Sequence, residues 1–493
     1  MAGSDPARSV IGSDEMTATA TTQLTALDAT FLELEEADDS ALMHIGGALV
    51  FEPLPGGGTP AIDQMREHLD ERLDLLPRYR QKLSTPRTGG LSWPSWEDDL
   101  TFDIEAHVRH ATLSSPGDES VFLDWISNFY SHRLDRSRPL WEMVLLDGLA
   151  DGRWALITKT HHCLVDGVGS VSAGDLLLDT EPAPRVAPAP DRMPAEVSDE
   201  TTRLAWLPHA PQPVRLAADA GLAAARTGTH AVVHPREALQ RSRAVIDLLV
   251  RDELIGAPSS SLNVPIGATR RIATVHVELQ ELKDVRAALG GTVNDVVLAA
   301  ATGALRALLL ARGEEPPHRG LRAMVPVNIR RDGDHGELGN QVSSLFVDLP
   351  LAMADPLRRY ELVGAAVQER KAGGQALAAS ALTGLTELAP PVLHAGIARS
   401  LFAKRLFNVT ITNVPGSPRR LYAFGAPMID VVPIVPLAAE HALGIAVVSY
   451  AGAMTFGLYA DRATVPDLDV LREGMLTSLR QLAGLAHVTS TSR

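Results

Sequence analysis

The sequence predicts a mixed α/β protein built as two similar halves joined by a crossing linker. Three observations lead there. At 493 residues the chain is too long for one ordinary core. Each half mixes short runs of alternating polarity, which read as strands, with runs of helical spacing. Between them, from Glu181 to about Glu200, stands EPAPRVAPAPDRMPAEVSDE, rich in Pro and Ala and without apolar pattern, as a linker is. No period short enough for a solenoid is present. The expected divisions are a disordered tail at 1–22, a first domain at 23–180, a linker with helices at 181–260, a second domain at 261–485 and a tail at 486–493.

In the first half, MHIGGALVFEP (Met43 to Pro53) reads as a strand. IDQMREHLDERLDLLPRYRQKL has helical spacing and stops near Pro77, and SVFLDWISNFYSHRL is a second amphipathic helix. PLWEMVLLDGLADGRWALITKTHH holds two alternating runs around a turn rich in Asp and Gly, a hairpin signal. In the second half, RRIATVHVELQ reads as a strand and GTVNDVVLAAATGALRALLLARG as a long helix. Thr292 and Asp295 form a relative of the capping box at its start, and Gly313 stands where a C-terminal glycine belongs. Strands are expected at LRAMVPVNI, QVSSLFVDL, LFNVTITNV, ALGIAVVSY and AMTFGLYAD, and VPDLDVLREGMLTSLRQLAGL is a closing helix.

The formal charge of −15 argues against nucleic-acid binding, which needs a basic face. Local arginine groups at Arg78/Arg80/Lys82, Arg330/Arg331 and Arg419/Arg420 could still receive an anionic substrate; solvated surface charge is the plainer reading. The one cysteine, Cys163, permits no disulfide within the chain and points to a reducing compartment. The first residues lack the apolar run of a signal peptide, and no uninterrupted apolar stretch of about 18 residues predicts a transmembrane helix.

The chemistry is expected at KTHHCLVDGVG (Lys159 to Gly169). Neighbouring side chains on a strand face opposite ways, so His161 and His162 cannot both enter one cavity. One imidazole is therefore open to substrate while the other is held inside its own domain. An imidazole titrates near neutrality and suits the exchange of a hydroxyl proton. Asp166 could brace the loop and Gly167 permits a tight turn. Cys163 has no nucleophile elbow around it. Zinc is not expected, because H-E-x-x-H is absent and adjacent histidines splay apart.

His161-His162-x-x-x-Asp166-Gly167 resembles the HHxxxDG motif of CoA-dependent acyltransferases, which include chloramphenicol acetyltransferase-like and peptide-synthetase condensation domains. LTALDATFLELE, MHIGGALVFEP and LDRSRPLWEMVLLDGL, with Pro139-Leu140-Trp141, narrow the resemblance to the bacterial wax ester synthase/acyl-CoA:diacylglycerol acyltransferases. So do TVNDVVLA with Asn294-Asp295, VPVNIR and LGNQVSSLFVDLP (Pro326, Asn328, Arg330, Gly339, Asn340, Pro350) and NVTITNVPGSP. The likeness runs from about Leu24 to Leu482 and fails only in the tail and the linker.

The resemblance implies two chloramphenicol-acetyltransferase-like domains with the active-site channel between them. Acyl-CoA enters as co-substrate, with no cofactor, and diacylglycerol or a long-chain alcohol is the acceptor. His162 is then the general base, His161 supports it, and the acyl group passes directly with no acyl-enzyme. Only the first half carries the motif, so one centre per chain is expected. Asn294 and Asp295 would lie near the channel wall or thioester, or else serve as helix cap and domain contact. Trp141 reads as a core aromatic. The apolar segment Gln375 to Phe407 could lie on lipid, line the acceptor tunnel or form an internal helix pair. The implied location is the cytoplasm, peripheral to the membrane's inner face or lipid inclusions. Two alternatives stand beside this: an acyltransferase using a carrier-protein thioester or specialised alcohol, and a non-catalytic lipid-binding protein.

Overall fold

The computed structural model describes residues 22–84, 93–165, 174, 176–183, 256–328, 342–372 and 406–491. The first half runs β1 (Thr22–Gln23), α1 (Ala26–Ala37), β2 (His44–Phe51), α2 (Ile62–Leu73), β3 (Gln81–Leu83), β4 (Ser95–Asp98), α3 (Ile104–His107), β5 (Val108–Thr112), α4 (Glu119–Tyr130), β6 (Trp141–Asp147) and β7 (Trp154–His161). The second runs β8 (Arg270–Glu278), α5 (Leu279–Leu289), α6 (Val293–Ala311), β9 (Leu321–Asn328), β10 (Val342–Leu349), α7 (Pro356–Ala372), β11 (Val409–Pro415), β12 (Tyr422–Ala423), β13 (Ala426–Ile434), β14 (Leu443–Tyr450), β15 (Ala453–Asp461) and α8 (Leu468–Thr491).

Two six-stranded sheets carry the fold, in the orders β12-β13-β2-β7-β6-β5 and β10-β9-β11-β14-β15-β8, beside a small sheet β1-β4-β3. The large sheets share a core pattern. In the first, β2–β7 and β7–β6 are antiparallel and β6–β5 parallel. In the second, β8–β15 and β15–β14 are antiparallel and β14–β11 parallel. The expected hairpin is β6–β7, whose turn uses positive φ at Gly148, Asp151 and Gly152.

One exchange was not expected. The hairpin β12–β13 comes from the second half yet completes the first sheet, with β13 antiparallel to β2. Its sequence, with Pro427 and Pro433, reads poorly as an inner strand, because proline donates no ladder bond. A register shift between Met428 and Asp430 accommodates it. Gly46 and Gly47 of β2 make the fit possible. A Cβ on Gly47 would collide with the Val432 carbonyl of β13, and one on Gly46, at φ +139, with the Thr158 carbonyl of β7.

α6 starts at the expected cap: Asp295 N–H donates to Thr292 Oγ1, while Thr292 N–H and Oγ1–H donate to Asp295 Oδ2. Twelve of its nineteen residues are buried. Of the described helices, α6 alone is long and apolar enough to cross a membrane, but it is packed on α7 and α8 as a core helix. At about 1.5–3 kcal/mol for each large aliphatic side chain, this burial is a main anchor of the second half. One core spans both halves, joining Phe122, Ile126 and Ile157 to Val275, Val432 and Phe456. A second, on the other face of the first sheet, buries Trp96, Trp141 and Trp154.

The ends differ from expectation. Thr22 begins β1, so the tail is shorter by that residue, and its other positions lie outside the described residues. Helix α8 runs to Thr491, into the tail expected from 486. Residues 184–255 of the linker and 373–405 of the apolar segment lie outside the described residues, as do Arg330, Arg331, Gly339 and Asn340.

Candidate functional site

Strand β7 delivers the histidine pair to the end of the first sheet. The ladder carries through: His161 pairs with His44, and His162 N–H donates to the Met43 carbonyl at 2.8 Å. The chain then turns, with Leu164 N–H donating to the His161 carbonyl.

Helix α1 receives both rings. It starts at the N-cap Thr25, whose hydroxyl accepts from Asp28 N–H. Phe31 and Glu35, four residues apart, share one face. Phe31 stacks on His162 with centroids 4.0 Å apart and planes 17° apart. Glu35 Oε2 lies 2.6 Å from His161 Nε2. Cys163 N–H donates to His161 Nδ1 at 3.1 Å, which leaves the ring proton on Nε2, donating to Glu35. Both nitrogens of His161 are thus committed, and the ring is 1 % exposed. His162 is half-buried.

Two arginines after α4 hold the far end of α1. Arg133 donates to the Glu35 carbonyl and Arg136 to that of Leu32, cations at a helix C-terminus where the dipole favours them. Arg133 Nε also lies 3.4 Å from Glu35 Oε1. Burial alone would raise the Glu35 pKa; the His161 hydrogen bond and the charges around it outweigh that and lower it to about 2. Burial lowers the His161 pKa against the pull of Glu35, so the pair is a neutral imidazole on a carboxylate.

More buried polar groups lie behind the pair. His44 is 2 % exposed, edge-on to His161 at 6.0 Å, and burial pushes its pKa well down. Lys159, on the same face as His161, caps the Phe129 ring at 4.2 Å and reaches Glu142 at 3.4 Å. Cys163 is 1 % exposed and burial raises its thiol pKa, which leaves no thiolate nucleophile.

Asp166 and Gly167 lie outside the described residues. The carboxylate found bracing the pair is Glu35, 126 positions away from His161. Its one sequence signal was the LTALDATFLELE block, whose helical spacing puts Phe31 and Glu35 together. Of the two readings of Asp295, channel wall or helix cap, the structure shows the α6 cap, with the residue 1 % exposed. Asn294 is turned differently: its Oδ1 lies 3.4 Å from Asn413 Nδ2 on β11. Of the suggested anion sites, Arg80 and Lys82 pair with Asp70 and Asp99, and Arg78 lies over Trp96.

Comparison with known proteins bears on this geometry. The family model for the wax ester synthase/diacylglycerol acyltransferase catalytic domain matches residues 24–297, and that for the WS/DGAT C-terminal domain matches 338–483. The probable diacylglycerol O-acyltransferase tgs1 of Mycobacterium tuberculosis is 32% identical over 95% of this chain and 97% of its own. The probable diacylglycerol O-acyltransferase tgs2 of that species is 33% identical over 92% and 97%. The solved wax ester synthase/diacylglycerol acyltransferase of Marinobacter aquaeolei VT8 superposes with a TM-score of 0.68 at 28% identity, covering 94% of this chain and 100% of that one. The starter condensation domain of rhizomide synthetase shares the fold at 17% identity, TM-score 0.59, over 95% of this chain and 94% of its own.

Proposed function

The chain belongs to the wax ester synthase/diacylglycerol acyltransferase family, and we propose that it moves a fatty acyl group from acyl-CoA to the hydroxyl of diacylglycerol or a long-chain alcohol, with His162 as general base. His162 takes the acceptor's proton. The oxygen attacks the thioester carbonyl, the tetrahedral intermediate collapses, and the C–S bond breaks. The leaving CoA thiolate takes the proton back from His162. No bond to the protein forms, in keeping with the buried, protonated Cys163. Acyl-CoA is a co-substrate, and the chemistry needs no cofactor.

The observation that carries this reading is the unequal burial of the two rings on α1. His161 has both nitrogens spent, on Glu35 and on Cys163 N–H, and is sealed from solvent. His162 has its plane set by Phe31 and remains half-buried. Its neighbour is a positioning residue, and Glu35 positions that neighbour. Asn294, whose Oδ1 accepts from Asn413 Nδ2 at 3.4 Å, is the residue we assign to the channel wall near the thioester. Binding both substrates together makes orientation the scaffold's main contribution. Since the acceptors are insoluble in water, the enzyme works on a lipid surface, peripheral to the cytoplasmic face of a membrane or to lipid inclusions. Recovery wholly in the soluble fraction, with no binding to lipid emulsions, would contradict that location.

The test is an assay with radiolabelled palmitoyl-CoA against diolein and hexadecanol in parallel. Labelled triacylglycerol or wax ester with release of CoA supports the reading. Absence of both products, or transfer only from an acyl-carrier protein, overturns it.

A further inference from the structure

A groove of about 570 Å³ opens between α6 and α8, closed on one side by the start of α7. This is within the range of small-ligand sites. Its lining comes entirely from the second half and includes neither histidine nor any residue around them. The two helices meet closely through glycines. A Cβ on Gly474 would press on Ala304 and Ala307, and one on Gly303 would strike the Ser478 hydroxyl and approach the Arg359 guanidinium. A cation and a hydroxyl therefore converge on the same point of the α6 backbone.

Both are buried and incompletely partnered. Arg359 is 3 % exposed and Ser478 2 %. Arg359 Nε and Ser478 Oγ have no hydrogen-bond partner among the described residues. Arg359 donates only to the carbonyls of Met353 and Ala354, and Arg306 beside it only to those of Leu351 and Ala352. Neither guanidinium forms an ion pair with a described carboxylate. The acids on the rim are engaged elsewhere, Asp469 with Arg271 and Glu473 with Arg472. Burial, and then the Arg306 charge, lower the Arg359 pKa, with Asp355 opposing them from the N-terminal side of α7 without forming an ion pair. An apolar strip runs beside them, Ala307, Val470 and Leu310, the last half exposed, with Thr477 and Gln481 on the rim. Arginine pairs lacking a carboxylate suit a phosphate or carboxylate, and an apolar wall beside them suits a chain attached to it.

We propose that this groove binds a single-chain anionic amphiphile, its phosphate or carboxylate head on Arg306 and Arg359 and its alkyl chain along Ala307, Leu310 and Val470. The site is separate from acyl transfer and stands whether or not that reading holds.

The test places an environment-sensitive dye on the full chain through Gln481→Cys, exposed at the groove; the native Cys163 is buried and stays unlabelled. Dodecyl phosphate below its micelle concentration is titrated beside dodecanol, inorganic phosphate, and vesicles of phosphatidic acid in phosphatidylcholine. The expected result is a saturable dye response to dodecyl phosphate, at least tenfold tighter than to dodecanol or to phosphate. Arg306→Gln should weaken it at least fivefold and leave palmitoyl-CoA turnover unchanged. Leu310→Glu, at a half-exposed position and with its unfolding midpoint checked beside the native chain, should weaken it similarly. An equal response to dodecanol or phosphate, a response to vesicles alone, no response, or full affinity in Leu310→Glu would each overturn the proposal.

Discussion

The two large sheets close in the same way and put different chemistry there. In the first, β2 and β7 end with His44 opposite His161, and the next residue, His162, bonds back to the Met43 carbonyl. In the second, β8 and β15 end with Arg270 opposite Asp461, and the next residue, Arg462, bonds back to the Thr269 carbonyl. Where one half offers an imidazole, the other offers a guanidinium, which cannot give up its proton and cannot serve as a base. The second end acts as a latch. Arg270 N–H donates to Ser131 Oγ and its guanidinium to the Ser40 carbonyl, while Arg462 pairs with Asp124, all in the first half. One backbone device thus ends in the proposed base in one half and in domain attachment in the other, and the side chains behind it decide which.

Beyond His162 itself, the largest effect is expected at Glu35. Glu35→Gln removes the carboxylate from His161, Arg133 and Arg136 together, in a site 1 % exposed. Breaking a buried pair costs about 3–5 kcal/mol, and loss of a supporting partner about 10–100-fold in activity. Chemical denaturation and initial rates check both; an unchanged rate per folded molecule would show that the brace does not position the site. Asp461→Asn should cost a comparable about 3 kcal/mol, since Arg270 is also buried, but leave the rate per folded molecule intact. A rate loss there would erase the contrast between the two ends.

Acid sharpens the contrast further. The pKa values of His44 and His161 lie below the ordinary 6.5, so the folded chain binds fewer protons than the unfolded one as pH falls past 6.5. Their stabilisation is present above that pH and declines below it, by up to about 1.4 kcal/mol per pH unit for each ring. Glu35, lowered from 4.5 to about 2, adds a further loss only below pH 4.5. Denaturant midpoints from pH 7.5 to 5 should fall in the native chain and fall less in His44→Phe; parallel slopes would contradict the assignment. The smallest effect is expected for Phe31→Leu, about 1 kcal/mol from the lost ring stack, read as a modest drop in kcat with KM unchanged.

Much of the architecture was legible because it is local. The β6–β7 hairpin carries its turn glycines, and the α6 cap carries Thr292 and Asp295 at capping spacing. The histidine pair stood out in the sequence, and strand alternation separated its rings there; in the structure both meet the same face of α1, His161 at Glu35 and His162 at Phe31. What escaped the sequence is non-local. Glu35 meets His161 only through the fold, and His44 is paired to it only by the register of β2 and β7. Strand β13 was hidden by its prolines, which the bulge and the glycines of β2 admit. Asp295 had two readings in the sequence, channel wall and helix cap, and the structure shows the cap.

The most direct measurement is the rate of CoA release from palmitoyl-CoA, with diolein or hexadecanol as acceptor, by His162→Ala beside the native chain, each with its thermal unfolding midpoint. The rate should fall by about 10²–10⁴-fold, the contribution of a positioned base, while the midpoint moves by only a few degrees. A folded His162→Ala protein that releases CoA at the native rate would contradict the assignment of the proton transfer to that ring.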